Sequence, residues 1–220
     1  MMKKNLSVAV VLAVLLTLAV GYALFSQTIN ITGTATAQGS FNFSIECSTG
    51  LNSGISDNLS TIISNYNSLL TSQGVELIPT TVAGNDSSSC STSGNTATMQ
   101  TNLQYPGALQ IFTVKVTNTG SISGKIDMAN QSSNSSATVL NGNAIAVYVN
   151  NSNIIPASTS GLESFENTLS NHEFVPNESF YVVYAFYWPT SSTAACSNDT
   201  TADNYCYVNL TDSFLFVQYN

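Results

Sequence analysis

Covalent and ionic chemistry in this chain rests on few side chains: four cysteines, one histidine, 12 Asp plus Glu, four lysines and no arginine. No two cysteines have the Cys-x-x-Cys spacing of a zinc site, and His172 has no second histidine to share a metal. His172-Glu173 lacks the further histidine four positions on that a zinc-protease helix requires, and no serine sits in a Gly-x-Ser-x-Gly elbow. Glu163, Glu166, Asp199 and Asp203 do not follow an EF-hand spacing and read as solvated surface acids. No catalytic residue, no metal ligand and no cofactor is expected, so the chain is not read as an enzyme.

The first residues address the compartment in which the cysteines sit. Lys3 and Lys4 form a basic start, Val8 to Val20 is apolar apart from Thr17, and Gly21-Tyr22-Ala23 places small residues where a signal peptidase cuts. Cleavage between Ala23 and Leu24 is expected, the alternative being an uncleaved anchor, for which the run is short of the roughly 20 apolar residues that span a bilayer. In an oxidising compartment four cysteines allow three pairings, and proximity favours Cys196 with Cys206, leaving Cys47 with Cys90. In the chain-entropy model these would contribute about 3 and about 4 kcal/mol. Sequons after the signal begin at Asn30, Asn42, Asn58, Asn85, Asn130, Asn134, Asn150, Asn177, Asn198 and Asn209. They are N-glycosylation candidates, of which several rather than all are expected to be used, because a chain this rich in Asn, Ser and Thr makes sequons by accident.

Ser, Thr and Asn together fill 82 of the 220 positions, only 7% of residues are charged, and the formal net charge is -8. That balance disfavours a cytosolic enzyme, and without basic clusters it argues against nucleic-acid partners. A hydrophobic share of 43% still supplies a packed core.

The apolar period is mostly two. Phe25, Ile29 and Ile31 share one face of an amphipathic strand over residues 24–32, followed by a spacer of small residues to Gly39. Phe41, Phe43 and Ile45 alternate with Ser40, Asn42, Ser44 and Glu46 in a second strand. One helix interrupts the pattern, with Asp57 as its expected N-cap, Leu59, Ile62, Ile63, Tyr66, Leu69 and Leu70 at helical spacing, and Gly74 to close it. Residues 84–101 are nearly all small and polar and read as a surface loop pinned at Cys90. Further strands are expected at 108–118, 122–128, 144–149, 180–188, 205–209 and 214–218, with Asn118-Thr119-Gly120 as a turn. In the 180–188 strand, one side is expected to pack a core and the other to leave tyrosines at the surface. This is a mainly β chain: an antiparallel, jelly-roll-like β-sandwich with one short helix. The expected organisation is a signal peptide at 1–23, an extended N-terminal strand and spacer at 24–39, and the sandwich at 40–220.

Three stretches carry a resemblance to a known family. Gly21-Tyr-Ala-Leu-Phe-Ser26 before an alternating strand, Tyr105-Pro-Gly107 leading into Phe112 to Gly120, and the order Trp188-Pro189, Asp203-Asn204-Tyr205, Asp212 to Gln218 resemble the TasA and camelysin-like exported proteins and their archaeal relatives that build bundling pili. Archaeal threads are a related possibility. The chain departs from the family in Gln27, where the bacterial boundary often has Asp, and in the Cys196 to Cys206 loop, which looks like an insertion. The metalloprotease activity once ascribed to such proteins is not carried over, because its ligands are absent here. What the resemblance implies is a jelly-roll subunit whose N-terminal strand (Phe25, Ile29, Ile31) is donated to its neighbour, giving a non-covalent extracellular filament.

The expected partner is therefore the chain itself in a head-to-tail homopolymer, with neighbouring filaments or cell-surface glycans as further contacts, no nucleic acid, and the membrane met only during export. Two other classes remain open: a monomeric, membrane-tethered surface glycoprotein whose N-terminal strand completes its own sheet, and a type IV pilin-like subunit that keeps its apolar helix. Lys115 and Lys125 read as surface lysines rather than isopeptide donors.

Overall fold

Phe180 to Trp188 is apolar at every position, a pattern that suits a strand covered on both faces, whereas Val114 to Asn118 alternates and needs cover on one. A computed structural model describes residues 39–71, 76–133, 140–153, 169–191 and 206–218 of the chain, and residues from Gly39 onward cluster as one unit. Strands β1 (Phe43–Thr49), β4 (Leu109–Asn118), β8 (Ser179–Tyr187), β6 (Leu140–Val149) and β7 (Ser152–Asn153) form a five-stranded sheet in that spatial order. Strands β2 (Asn85–Ser93), β3 (Thr96–Leu103), β9 (Cys206–Gln218) and β5 (Gly124–Ser133) form a four-stranded one. Every pairing is antiparallel.

Helix α1 (Leu59–Leu70) turns Ile62, Ile63, Tyr66 and Leu70 inward at helical spacing. They join Leu109, Ile111, Ile145, Tyr148, Val183 and Tyr187 in a core on the outer face of the five-stranded sheet. Asn67 fastens the segment after the helix, donating from Nδ2 to the Ile78 carbonyl (2.7 Å) and accepting from the Ile78 N–H (2.9 Å). A second core fills the space between the sheets, with Phe112, Val114, Phe180 and Phe186 facing Met99, Leu103, Leu210 and Phe214. The molecule is a β-sandwich with a helix over one sheet. β1 crosses the four-stranded sheet obliquely: Phe43 stacks on Phe216 of β9 with ring centres 4.1 Å apart, and four residues later Cys47 is disulfide-bonded to Cys90 of β2.

Four sequence expectations change. The N-cap of α1 is Asn58, whose Oδ1 accepts from the Thr61 N–H at 2.9 Å, while Asp57 accepts from the Tyr148 hydroxyl at 2.9 Å instead. Gly74 lies outside the described residues. The expected loop at 84–101 is a hairpin of β2 and β3, turned at Gly94-Asn95 with Gly94 at φ +56°, as the first position of a type II′ turn requires. β3 alternates cleanly, with Ala97, Met99, Thr101 and Leu103 buried. β2 is polar throughout and is held by this pairing and by Cys90.

The third change joins the expected strands at 205–209 and 214–218 into the 13-residue β9, because Thr211-Asp212-Ser213 keeps the alternation and Asp212 points inward. The fourth concerns the tyrosines of β8. Tyr184 and Tyr187 are buried rather than exposed, since the inter-sheet core covers one face and the helix side covers the other.

Candidate assembly edge

Backbone edges are the exposed binding groups of a sandwich, so the question at each sheet end is what occupies them. On one side the terminal strands β1 and β2 are joined by the Cys47–Cys90 disulfide. At the opposite ends lie β5 and the β6–β7 hairpin. β5 pairs with β9 from Gly124↔Gln218 to Ser133↔Leu210, with an irregularity after Ile126. On its other side, among the described residues, it makes only the bridge between Gly124 and Phe174. β6 pairs with β8 along its length, but β7 covers only Tyr148 and Val149 on its outer side. Asn150 and Asn151, at φ +49° and +61°, make the two-residue turn that folds β7 back.

The start of β5 is sealed by aromatic side chains. A Cβ on Gly124 would lie 2.6 Å from Phe41 and 2.9 Å from Phe43, so only glycine lets those rings close over the strand. Under β9, in register with Gln131 of β5, the fully buried Asp212 accepts a hydrogen bond from the Tyr184 hydroxyl. Burial raises the Tyr184 pKa well above its ordinary value, and the Asp212 charge adds to it.

Outside this edge the polar side chains brace turns. The His172 Nε2 lies 2.8 Å from Glu178 Oε1, which also accepts from Asn150 Nδ2 at 2.9 Å, while Glu178 Oε2 accepts from the Val175 N–H at 2.9 Å. Glu76 accepts from the Tyr187 hydroxyl, from the Thr190 N–H at 2.7 Å and from the Ser191 N–H at 3.0 Å. Burial pushes the Glu76 carboxyl up, but the hydrogen bonds from Thr190, Tyr187 and Ser191 outweigh it and hold it well below the usual carboxylate range. No sequence signal pointed to Glu76, because its donors come from residues more than a hundred positions away. Among the described residues no group of three His, Cys, Asp or Glu is placed to hold a metal, and no helix is long and apolar enough to cross a membrane.

The residues singled out from sequence divide as follows. Cys47 and Cys90 are bonded to each other, and Cys206 is disulfide-bonded too, its partner lying outside the described residues. Lys115 pairs across the strands with Glu46 at 3.4 Å. Asn42, Asn58, Asn150 and Asn177 are exposed, Asn85 and Asn209 are half-buried, and Asn130 lies on β5. Ala23, Leu24, Phe25, Ile29, Ile31, Asn30, Asn134, Asn198, Cys196 and the acids at 163, 166, 199 and 203 lie outside the described residues.

These features define a disulfide-bonded, helix-covered antiparallel β-sandwich with polar groups used as braces. No family model, no curated protein and no solved structure matches the chain.

Proposed function

We propose that this protein is a non-enzymatic structural subunit of an extracellular filament, exported with removal of residues 1–23 and joined head to tail by donor-strand exchange into a jelly-roll sandwich. The observation that carries the reading is the asymmetry of the sheet ends: one side bolted by a disulfide, the other presenting the outer edges of β5 and β6 with little pairing among the described residues. A chain that keeps such an edge in solution needs a strand to cover it. Residues 24–32 supply one, with Phe25, Ile29 and Ile31 on one face and about 30 Å of reach when extended. The small-residue spacer before Gly39 carries no tight-hairpin signal that would fold this strand straight back. The Cys47–Cys90 disulfide supports an oxidising location. The resemblance to TasA and camelysin-like proteins points the same way.

Ile29→Asp is the decisive variant. Placing a charge on the buried face of the donor should abolish high-mass material in sedimentation while leaving a folded monomer, and Thr28→Asp on the opposite face should be milder. An Ile29→Asp monomer that unfolds would favour the tethered-monomer reading, in which the strand belongs to its own sheet. Polymer that survives the change would exclude donor-strand exchange.

A further inference from the structure

Six sequons have side-chain surroundings that can be compared, and they are not equivalent as acceptors. N-glycosylation replaces one hydrogen of the asparagine Nδ2. The nitrogen bonds to the anomeric carbon of a lipid-linked sugar phosphate, the anomeric C–O bond breaks with its electron pair leaving on the phosphate, and the displaced proton passes to a base of the transferase. A folded domain accommodates the product where Nδ2 faces solvent and its hydrogens hold nothing together.

Asn42, in Asn42-Phe43-Ser44, meets this condition. It is exposed, its backbone carbonyl accepts from Thr119 (2.9 Å) and Gly120 (3.0 Å), and its side chain bonds no described residue. Asn58, in Asn58-Leu59-Ser60, meets it for a different reason. The cap of α1 uses only Oδ1, which accepts from the Thr61 N–H at 2.9 Å and the Thr61 hydroxyl at 3.1 Å. Its amide nitrogen stays free in an exposed residue, so a glycan leaves the cap intact.

Asn85 is the opposite case. Its Nδ2 donates both to the Leu109 carbonyl (3.4 Å) and to Oε1 of Gln110, a residue only 5% exposed, so a sugar there would cost a hydrogen bond on a buried amide. Asn150 already commits one Nδ2 hydrogen to Glu178, Asn209 is half-buried, and Asn177 is exposed but sits in a tight turn at φ +68° and carries no assignment.

We propose that Asn42 and Asn58 carry N-linked glycans in the exported protein and that Asn85, although a sequon, stays unmodified. The inference rests on the export reading, and the test separates the two. Protein purified from its native source is analysed by glycopeptide mass spectrometry and, on the same sample, by N-terminal sequencing. Sugar on Asn42 and Asn58 with a bare Asn85 is the expected result. Sugar on Asn85, or a bare Asn42 or Asn58 in a chain that begins at Leu24, overturns the assignment and leaves export standing. A chain that begins at Met1 without sugar overturns both. Ser60→Ala removes the second sequon without touching the cap and should lower the mass by one glycan at an unchanged melting temperature. A loss of fold in that variant would show that the cap argument is wrong.

Discussion

Asn118 gathers three hydrogen bonds in a fully buried position. Its Nδ2 donates to the carbonyls of Ile122 and Phe174, both at 2.9 Å, and its Oδ1 accepts from the Gly120 N–H at 2.9 Å. One side chain thus closes the turn after β4 and ties it to the segment that bridges β5. Asn118→Ala removes all three bonds, and at about 1 kcal/mol each the expected loss is about 3 kcal/mol, read from denaturant midpoints. Gly120 is required for space rather than for its dihedral angles, since a Cβ there would sit 2.3 Å from the Ser40 carbonyl oxygen. Gly120→Ala should therefore destabilise as well, by pushing the chain before β1 off this turn, and a melting temperature equal to the parent's would refute the contact.

Single elements differ in what holds them. β4 and β8 carry apolar side chains to both cores and would persist in any packing that kept the helix and the second sheet. β2, with sequence NDSSSCSTS, contributes almost no apolar area and is fixed by its hairpin partner and by Cys90. The Cys47–Cys90 bond spans 43 positions, for which the chain-entropy model gives about 4 kcal/mol. Cys47→Ser should lose about that much and should raise hydrogen exchange first in β2. Uniform exchange across the whole sandwich in that variant would show that β2 does not open separately.

Across the whole molecule, titration sets the limits of stability. Burial raises Tyr148, Tyr184 and Tyr187, the last to about 12, and Asp57, Asp212 and Glu76 add to it in turn. A raised pKa favours the neutral folded form, so this stability is complete below about pH 10 and is lost as pH rises through the folded values. Glu76 has the opposite sign: its contribution is present above its ordinary value of 4.5 and disappears as pH falls toward its lowered one. Melting temperatures should fall on both limbs. Tyr187→Phe should flatten part of the alkaline one, and an unchanged alkaline limb in that variant would remove Tyr187 from the account. The exposed pair Lys115–Glu46 adds little at any pH.

Periodicity alone determined the parts of the fold in which one side chain in two, or one in three to four, meets a core. That covers the alternation of Val114 and Val116 against Lys115 and Thr117 and the buried face of α1, while the residue types Asn118-Thr119-Gly120 marked the turn. Cysteine spacing foretold the Cys47–Cys90 bond. Only tertiary structure decided that a run of serines and threonines at 85–93 is a strand, that Asp212 continues β9 through the core against Tyr184, and that Glu76 clamps the end of β8. The physical reason is common to all three. A polar residue acquires its conformation from the partners that satisfy its hydrogen bonds, and here those partners are brought in from distant positions that no local pattern encodes.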